Sequence, residues 1–96
     1  MGVFYLLNQR TKCGKSDIQI RKDIYAMLDD DYNEYIRVYD AKQSLLAIKL
    51  VIRTNKLESA LKILMNSYKH YEADLFYKAL VEKYINVLRS ELYEKN

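Results

Sequence analysis

The chain reads as all-α: a compact bundle of three to four helices with antiparallel neighbours, and a homodimer as the expected cover for whatever helical surface is left over. Three observations carry this reading. Pro is absent and Gly occurs twice, so the chain has almost none of the residues that punctuate hairpins and sharp turns. Half of the residues are hydrophobic and 30% are charged, the balance of an ordered globular chain. Three stretches pair Ser, Asp or Asn with Gln or Glu three residues later, each ahead of apolar residues at helical spacing.

Ninety-six residues make one domain, 1–96. A chain of this size buries a smaller share of its surface than a larger one does, which favours a partner. Its first part, 1–15, is expected to be loosely ordered, with VFYLL at 3–7 as a short extended piece and 8–15 as polar loop. Ser16-Asp17-Ile18-Gln19 then forms the first capping box, and Asp17 suits the positive end of the helix dipole. Helix one is placed at about 17–28, with Ile20, Ile24, Met27 and Leu28 inward.

The DDDYNE run marks the next boundary, because acidic residues oppose the dipole at a helix C-terminus, whereas Asp31 with Glu34 makes a second capping box. Helix two is placed from Tyr32 to Arg53. Tyr32, Ile36, Tyr39, Gln43, Leu46 and Leu50 alternate in spacings of four and three, the repeat by which one helix packs along another, and they are assigned to the core. The run LLAIKLVI is apolar in almost every direction, so this half should be enclosed by other helices.

Asn55-Lys56-Leu57-Glu58 is the third capping box. It introduces helix three, with Leu57, Ala60, Leu61, Leu64 and Met65 on one face. The last helix covers roughly 70–93, with Leu75, Ala79, Leu80, Tyr84, Val87, Leu88 and Leu92 inward. No Gly or Pro separates it from helix three, and a single bent helix over 57–93 is the alternative.

The stretch KCGKS invites comparison with a phosphate-binding loop. That motif needs a glycine five positions before Gly14, and Gln9 stands there; the fold also leaves no room for the parallel sheet that such a site requires. Gly14-Lys15-Ser16 is therefore a helix start. Cys13 and His70 are each alone in the chain, with no orienting third group. One Cys also forms neither an intrachain disulfide nor a metal cluster, and a cytoplasmic setting follows as the default. Asp29, Asp30, Asp31 and Glu34 lack calcium-loop spacing and read as a solvated turn. No apolar run reaches membrane-spanning length, and Leu6 stands where a myristoylation motif wants Ser or Thr. The expectation is a protein without catalytic residues, metal or cofactor, and without membrane contact.

Two surface features remain. Lys42, Lys49, Arg53 and Lys56 recur at spacings of seven, four and three, forming a narrow basic stripe on helix two. With Arg10, Lys12, Lys15, Arg21 and Lys22 nearby, the stripe would make a surface for nucleic-acid phosphates. The helices around RTNK do not make a convincing DNA-reading pair, since the second offers only Lys62 among typical base-reading side chains. The other feature is aromatic. Among ten Tyr, the group Tyr32, Tyr35 and Tyr39 and the pair Tyr68 and Tyr71 share helix faces, as anchors in a protein interface do.

Residues 44–67 resemble one tetratricopeptide helical hairpin, with Leu57, Ala60 and Leu64 of TNKLESALKIL at its packing positions. Residues 42–96 loosely resemble the three-helix domains that dock microtubule-interacting and trafficking partners. Ile48 departs from the small residue expected before the turn, and no second repeat follows at a 34-residue period, so no family membership is drawn. What the resemblances imply is a peptide- or helix-binding groove. The expected function is a non-enzymatic protein–protein interaction domain, an adaptor, inhibitor or immunity-type protein presenting amphipathic helix faces. The rival is a small dimeric nucleic-acid-binding regulator that uses the basic stripe and the basic N-terminal segment, and a purely structural assembly subunit is a third reading.

Overall fold

Four helices follow one another in the computed structural model, which describes residues 15–70 and 75–93. They are α1 (Asp17–Glu34), α2 (Tyr39–Thr54), α3 (Leu57–His70) and α4 (Leu75–Leu92). No strand occurs among the described residues. The expected extended piece at 3–7 and loose segment at 1–15 lie, except for Lys15, outside them, as do Arg10, Lys12, Cys13 and Tyr71.

The start of α1 follows the capping rule in one half only. Ser16 Oγ accepts from the Gln19 amide at 3.2 Å, but the Gln19 side chain donates to Asp23 at 2.8 Å instead of reaching back to the cap. The helix then runs straight through the acidic run, six residues past the expected end at 28. The reason lies in spacing: Asp31 continues the buried stripe Ile20, Ile24, Leu28, and partners on α4 satisfy its carboxylate. Asp31 therefore caps nothing, and the second capping box is overturned. The helix closes where the Tyr35 amide bonds the Asp31 carbonyl at 3.0 Å. A turn over 35–37 and extended Val38 (φ −111°, ψ 100°) lead into α2, which starts at Tyr39 and not at Tyr32.

α2 is the central element, packed against α1, α3 and α4. Its inner face is Ala41, Ser44, Leu45, Ile48 and Ile52, and small Ala41 and Ser44 keep that side slim. Ser44 hides its hydroxyl by donating it to the Asp40 carbonyl at 2.9 Å. This inner face overturns the expected seam. Ile36, Tyr39, Gln43, Leu46 and Leu50 are exposed and Tyr32 is only partly buried. At 100° per residue, Tyr39, Leu46 and Leu50 lie on the side of α2 opposite Ala41, Ile48 and Ile52. The helix is apolar on both sides, and only one is covered.

Arg21 fastens α1 to the far end of α2. Its guanidinium donates to the carbonyls of Ile52 and Asn55 while Asp17 holds its Nε at 2.7 Å. These contacts and the Lys49–Asp29 pair run in opposite directions along the two helices, so α1 and α2 are antiparallel. Asn55 also departs from its expected role, because its amide donates back to the Val51 carbonyl at 2.9 Å and so caps the end of α2.

α3 and α4 lie side by side and antiparallel. Lys78 sits 4.8 Å from the Tyr68 ring centre, and Arg89 meets the Met65 sulfur at 3.9 Å. A continuous helix over 57–93 is thus ruled out, and His70 closes α3 instead of opening α4. Leu57, Ala60, Leu61 and Leu64 are buried as expected, and Met65 packs at the edge. On α4, Leu80, Tyr84, Leu88 and Leu92 are inward, joined by Val81 and Ile85, whereas Leu75 and Ala79 face solvent and Val87 is half-buried.

Candidate protein-interaction face

The misplaced seam leaves large apolar side chains uncovered on the α1–α2 side. Tyr39 is 70% exposed, Leu50 51%, Ile36 47% and Leu46 46%. Scattered surface apolar residues are ordinary, but Tyr39, Leu46 and Leu50 share a strip on one side of α2, and Ile36 is exposed in the turn that leads into it. Beside the strip, between α1 and α2, runs a shallow groove of about 170 Å³ lined by Leu28, Asp29, Tyr32, Leu45, Leu46 and Lys49. Lys49 forms its polar lip, 3.4 Å from Asp29 and 5.8 Å from the Tyr25 ring centre. A groove with apolar walls and one paired charge at its rim suits an apolar side chain projected by a helix.

The expected aromatic anchors divide. Tyr32 lines the groove and Tyr39 stands on the open strip. Tyr35 is half-buried and meets Phe76 edge to face, with ring centres 6.2 Å apart, which ties the end of α1 to the start of α4. Tyr68 lies under Lys78 at the border of a second groove of about 180 Å³ between α3 and α4, whose lining is mixed in polarity and includes Lys69, Glu82 and Arg89. Tyr32 and Tyr39 are therefore brought to one surface and Tyr68 to another.

Among the described residues, the basic side chains fall into different environments. Lys15 lies 3.1 Å from Asp23 and 2.9 Å from Glu91, and these contacts, Glu91 first and then Asp23, hold its ammonium above the ordinary lysine range. Arg21 is spent on Asp17 and two backbone carbonyls. Burial works against its charge, yet the contact with Asp17 leaves it raised. Lys49 is held at Asp29, and Lys42 is half-buried. Lys22, Arg53 and Lys56 remain exposed around the end of the α1–α2 hairpin.

A polar cluster that sequence reasoning missed joins α1 to α4. Asp31 accepts from the Tyr84 hydroxyl at 2.6 Å and from Lys83 Nζ at 2.7 and 2.9 Å. Burial first, and then the neighbouring Asp31 carboxylate, push the Tyr84 phenol far above the ordinary tyrosine range. Tyr84 is fully enclosed, so this hydroxyl has no route to a dissolved substrate and acts as a clamp between helices. Among the described residues, no group of three or more His, Cys, Asp and Glu is placed to hold a metal, and no helix is long and apolar enough to cross a membrane.

Leu46 and Leu50 were legible as apolar and regular, and sequence reasoning assigned them to the wrong side of the helix. The signal that could have found them is the second set on α2, Ala41, Leu45, Ile48 and Ile52, whose small and branched residues suit a tight helix contact. Comparisons of the chain with protein-family models, with curated proteins and with solved structures gave no match.

Proposed function

We propose that this chain is a non-enzymatic protein–protein interaction domain of the adaptor, inhibitor or immunity type, which binds through the uncovered side of α2 and the groove beside it. The observation that carries the reading is the exposed strip Ile36, Tyr39, Leu46 and Leu50, flanked by the groove under Tyr32. Exposed apolar strips with a polar rim are the usual marks of a protein-binding surface. No cofactor is needed for such a role, and the single Cys supports a cytoplasmic setting.

The rival reading as a small nucleic-acid-binding regulator draws on one observation, the exposed Lys22, Arg53 and Lys56 around one end of the hairpin. The two readings separate in one experiment. Wild-type protein, a Leu46→Asp/Leu50→Asp variant and an Arg53→Ala/Lys56→Ala variant are used as bait in extract from cells that express the protein naturally, at low and high salt. The interaction reading expects a stoichiometric protein that survives high salt and the basic-residue changes and is lost with the leucine changes. Retention of nucleic acid that disappears at high salt and in the Arg53/Lys56 variant would replace it with the rival.

A further inference from the structure

The exposed side of α2 has a spacing and a charge order of its own. Tyr39, Gln43, Leu46, Leu50 and Arg53 follow steps of four and three, the repeat with which one helix lies along another. The core does not use this repeat, because the inner face of α2 is Ala41, Ser44, Leu45, Ile48 and Ile52. We propose that the strip is a self-association surface, occupied by α2 of a second copy lying antiparallel, with Leu46 at the two-fold axis. This rests on the reading of the face as a protein-binding surface and names its occupant.

Two observations select a second copy in that orientation. The first is symmetry in the sequence of the strip. Tyr39 stands seven residues before Leu46 and Arg53 seven after it, while Gln43 stands three before and Leu50 four after. An antiparallel pair centred on Leu46 therefore sets Leu46 on Leu46, Leu50 on the stem of Gln43, and the Arg53 guanidinium near the Tyr39 ring, where a cation and an aromatic face attract. The off-axis contacts each occur twice, and Leu46 meets its own copy once on the axis, as a two-fold interface requires.

The second observation is charge. Residues 29–40 carry Asp29, Asp30, Asp31, Glu34 and Asp40 against Arg37, and residues 41–56 carry Lys42, Lys49, Arg53 and Lys56. Asp31 is buried against Lys83 and Asp29 is paired with Lys49, so the acidic excess open to a partner is Asp30, Glu34 and Asp40 less Arg37. Asp30, Glu34 and Asp40 are exposed toward one end of the hairpin, Arg53 and Lys56 toward the other. Antiparallel pairing sets each acidic end over the partner's basic end and also opposes the two helix dipoles; parallel pairing stacks like on like. Lys42 and Lys49 share one edge of the strip and approach their counterparts in the pair, but Lys49 already has its charge held at Asp29.

The test uses the full chain. Sedimentation equilibrium up to roughly 200 µM, a range that reveals micromolar association, should show a monomer–dimer equilibrium that Leu46→Asp weakens at least about tenfold. In a Cys13→Ser background, Leu46→Cys should form a disulfide-linked dimer on mild oxidation. Tyr39→Cys should crosslink to Arg53→Cys in a mixture and not to itself. A wild-type chain that stays monomeric with full helicity overturns the proposal, and so does self-crosslinking of Tyr39→Cys as fast as that of Leu46→Cys, which marks a parallel pair. A monomer whose capture of another protein is still lost with Leu46→Asp/Leu50→Asp overturns self-association and leaves the interaction reading standing. A dimer that retains no other protein supports self-association and overturns the adaptor reading.

Discussion

Tyr84 donates its hydroxyl to Asp31 across 2.6 Å, joining α4 to α1 through a carboxylate that lies on the buried stripe of its helix. The adjacent Lys83 approaches the same carboxylate from the rim, where its own side chain is 43% exposed. One residue satisfies Asp31 from inside and the next balances its charge from outside, an arrangement that makes an acidic residue tolerable on a core-facing stripe.

Removal of the two partners should have unequal effects. Tyr84→Phe deletes a buried hydrogen bond to a charged group and should destabilise the fold by about 1.5–3 kcal/mol. Lys83→Ala removes a half-exposed ion pair and should cost below about 1 kcal/mol. Urea unfolding followed by circular dichroism orders the two, and a larger loss from Lys83→Ala would contradict the clamp.

Alkaline pH should loosen the same junction. Folding raises the Tyr84 phenol above its ordinary 10.0, so the protonated form is favoured in the folded chain. The stability linked to this group is then fully present below about pH 10 and declines as the pH rises toward the folded value. Wild type should lose more stability than Tyr84→Phe between pH 9 and 11, about the interval that brackets the unfolded tyrosine. Parallel curves for the two proteins would show that Tyr84 is not linked to alkaline unfolding.

At the acid end the sign reverses. Asp23 is held below its ordinary 3.8, first by the hydrogen bond from Gln19 and then by Lys15. Its contribution is present above the ordinary value and is lost as the pH falls through the lower, folded one. Carboxylate titration by NMR should find Asp23 moving upward in Gln19→Ala, and a larger upward move in Lys15→Ala would reverse the order of causes.

The two sides of α2 should separate cleanly in dilute solution. Ile48 is fully buried, and Ile48→Ala should cost about 2–5 kcal/mol. Leu46→Ala, on the open side, should change monomer stability by no more than about 0.5 kcal/mol. Thermal melts at low protein concentration check both, and a large loss from Leu46→Ala under those conditions would place Leu46 in the core.

The all-helical fold was legible because it rests on local signals: absent Pro, scarce Gly, the Ser16 cap and the one-sided spacing of Ile20, Ile24, Leu28 and of Leu57, Ala60, Leu61, Leu64. Orientation of α2 was not legible. Its two apolar sides have similar periodicity, and the choice between them is made by close packing against α1, α3 and α4, which no local pattern encodes. The boundary at Asp31 failed for a related reason. Acidic residues do favour helix starts, but partners more than fifty positions away, Lys83 and Tyr84, stabilise this one in mid-helix. The open side of α2 differs for the same reason: Tyr39, Leu46 and Leu50, assigned to the core by their spacing, are exposed.

Central placement of α2 also bears on how the molecule opens. α1 rests chiefly on α2, and most of the described ties from α1 and the residues flanking it to α4 are polar, Asp31 with Lys83 and Tyr84 and Lys15 with Glu91, beside one ring contact, Tyr35 with Phe76. α3 and α4, by contrast, share apolar contacts with each other and with α2. The chain is therefore built as a three-helix unit, α2 to α4, with α1 latched across it, and release of the latch would uncover the inner side of α2 while α3 and α4 still hold.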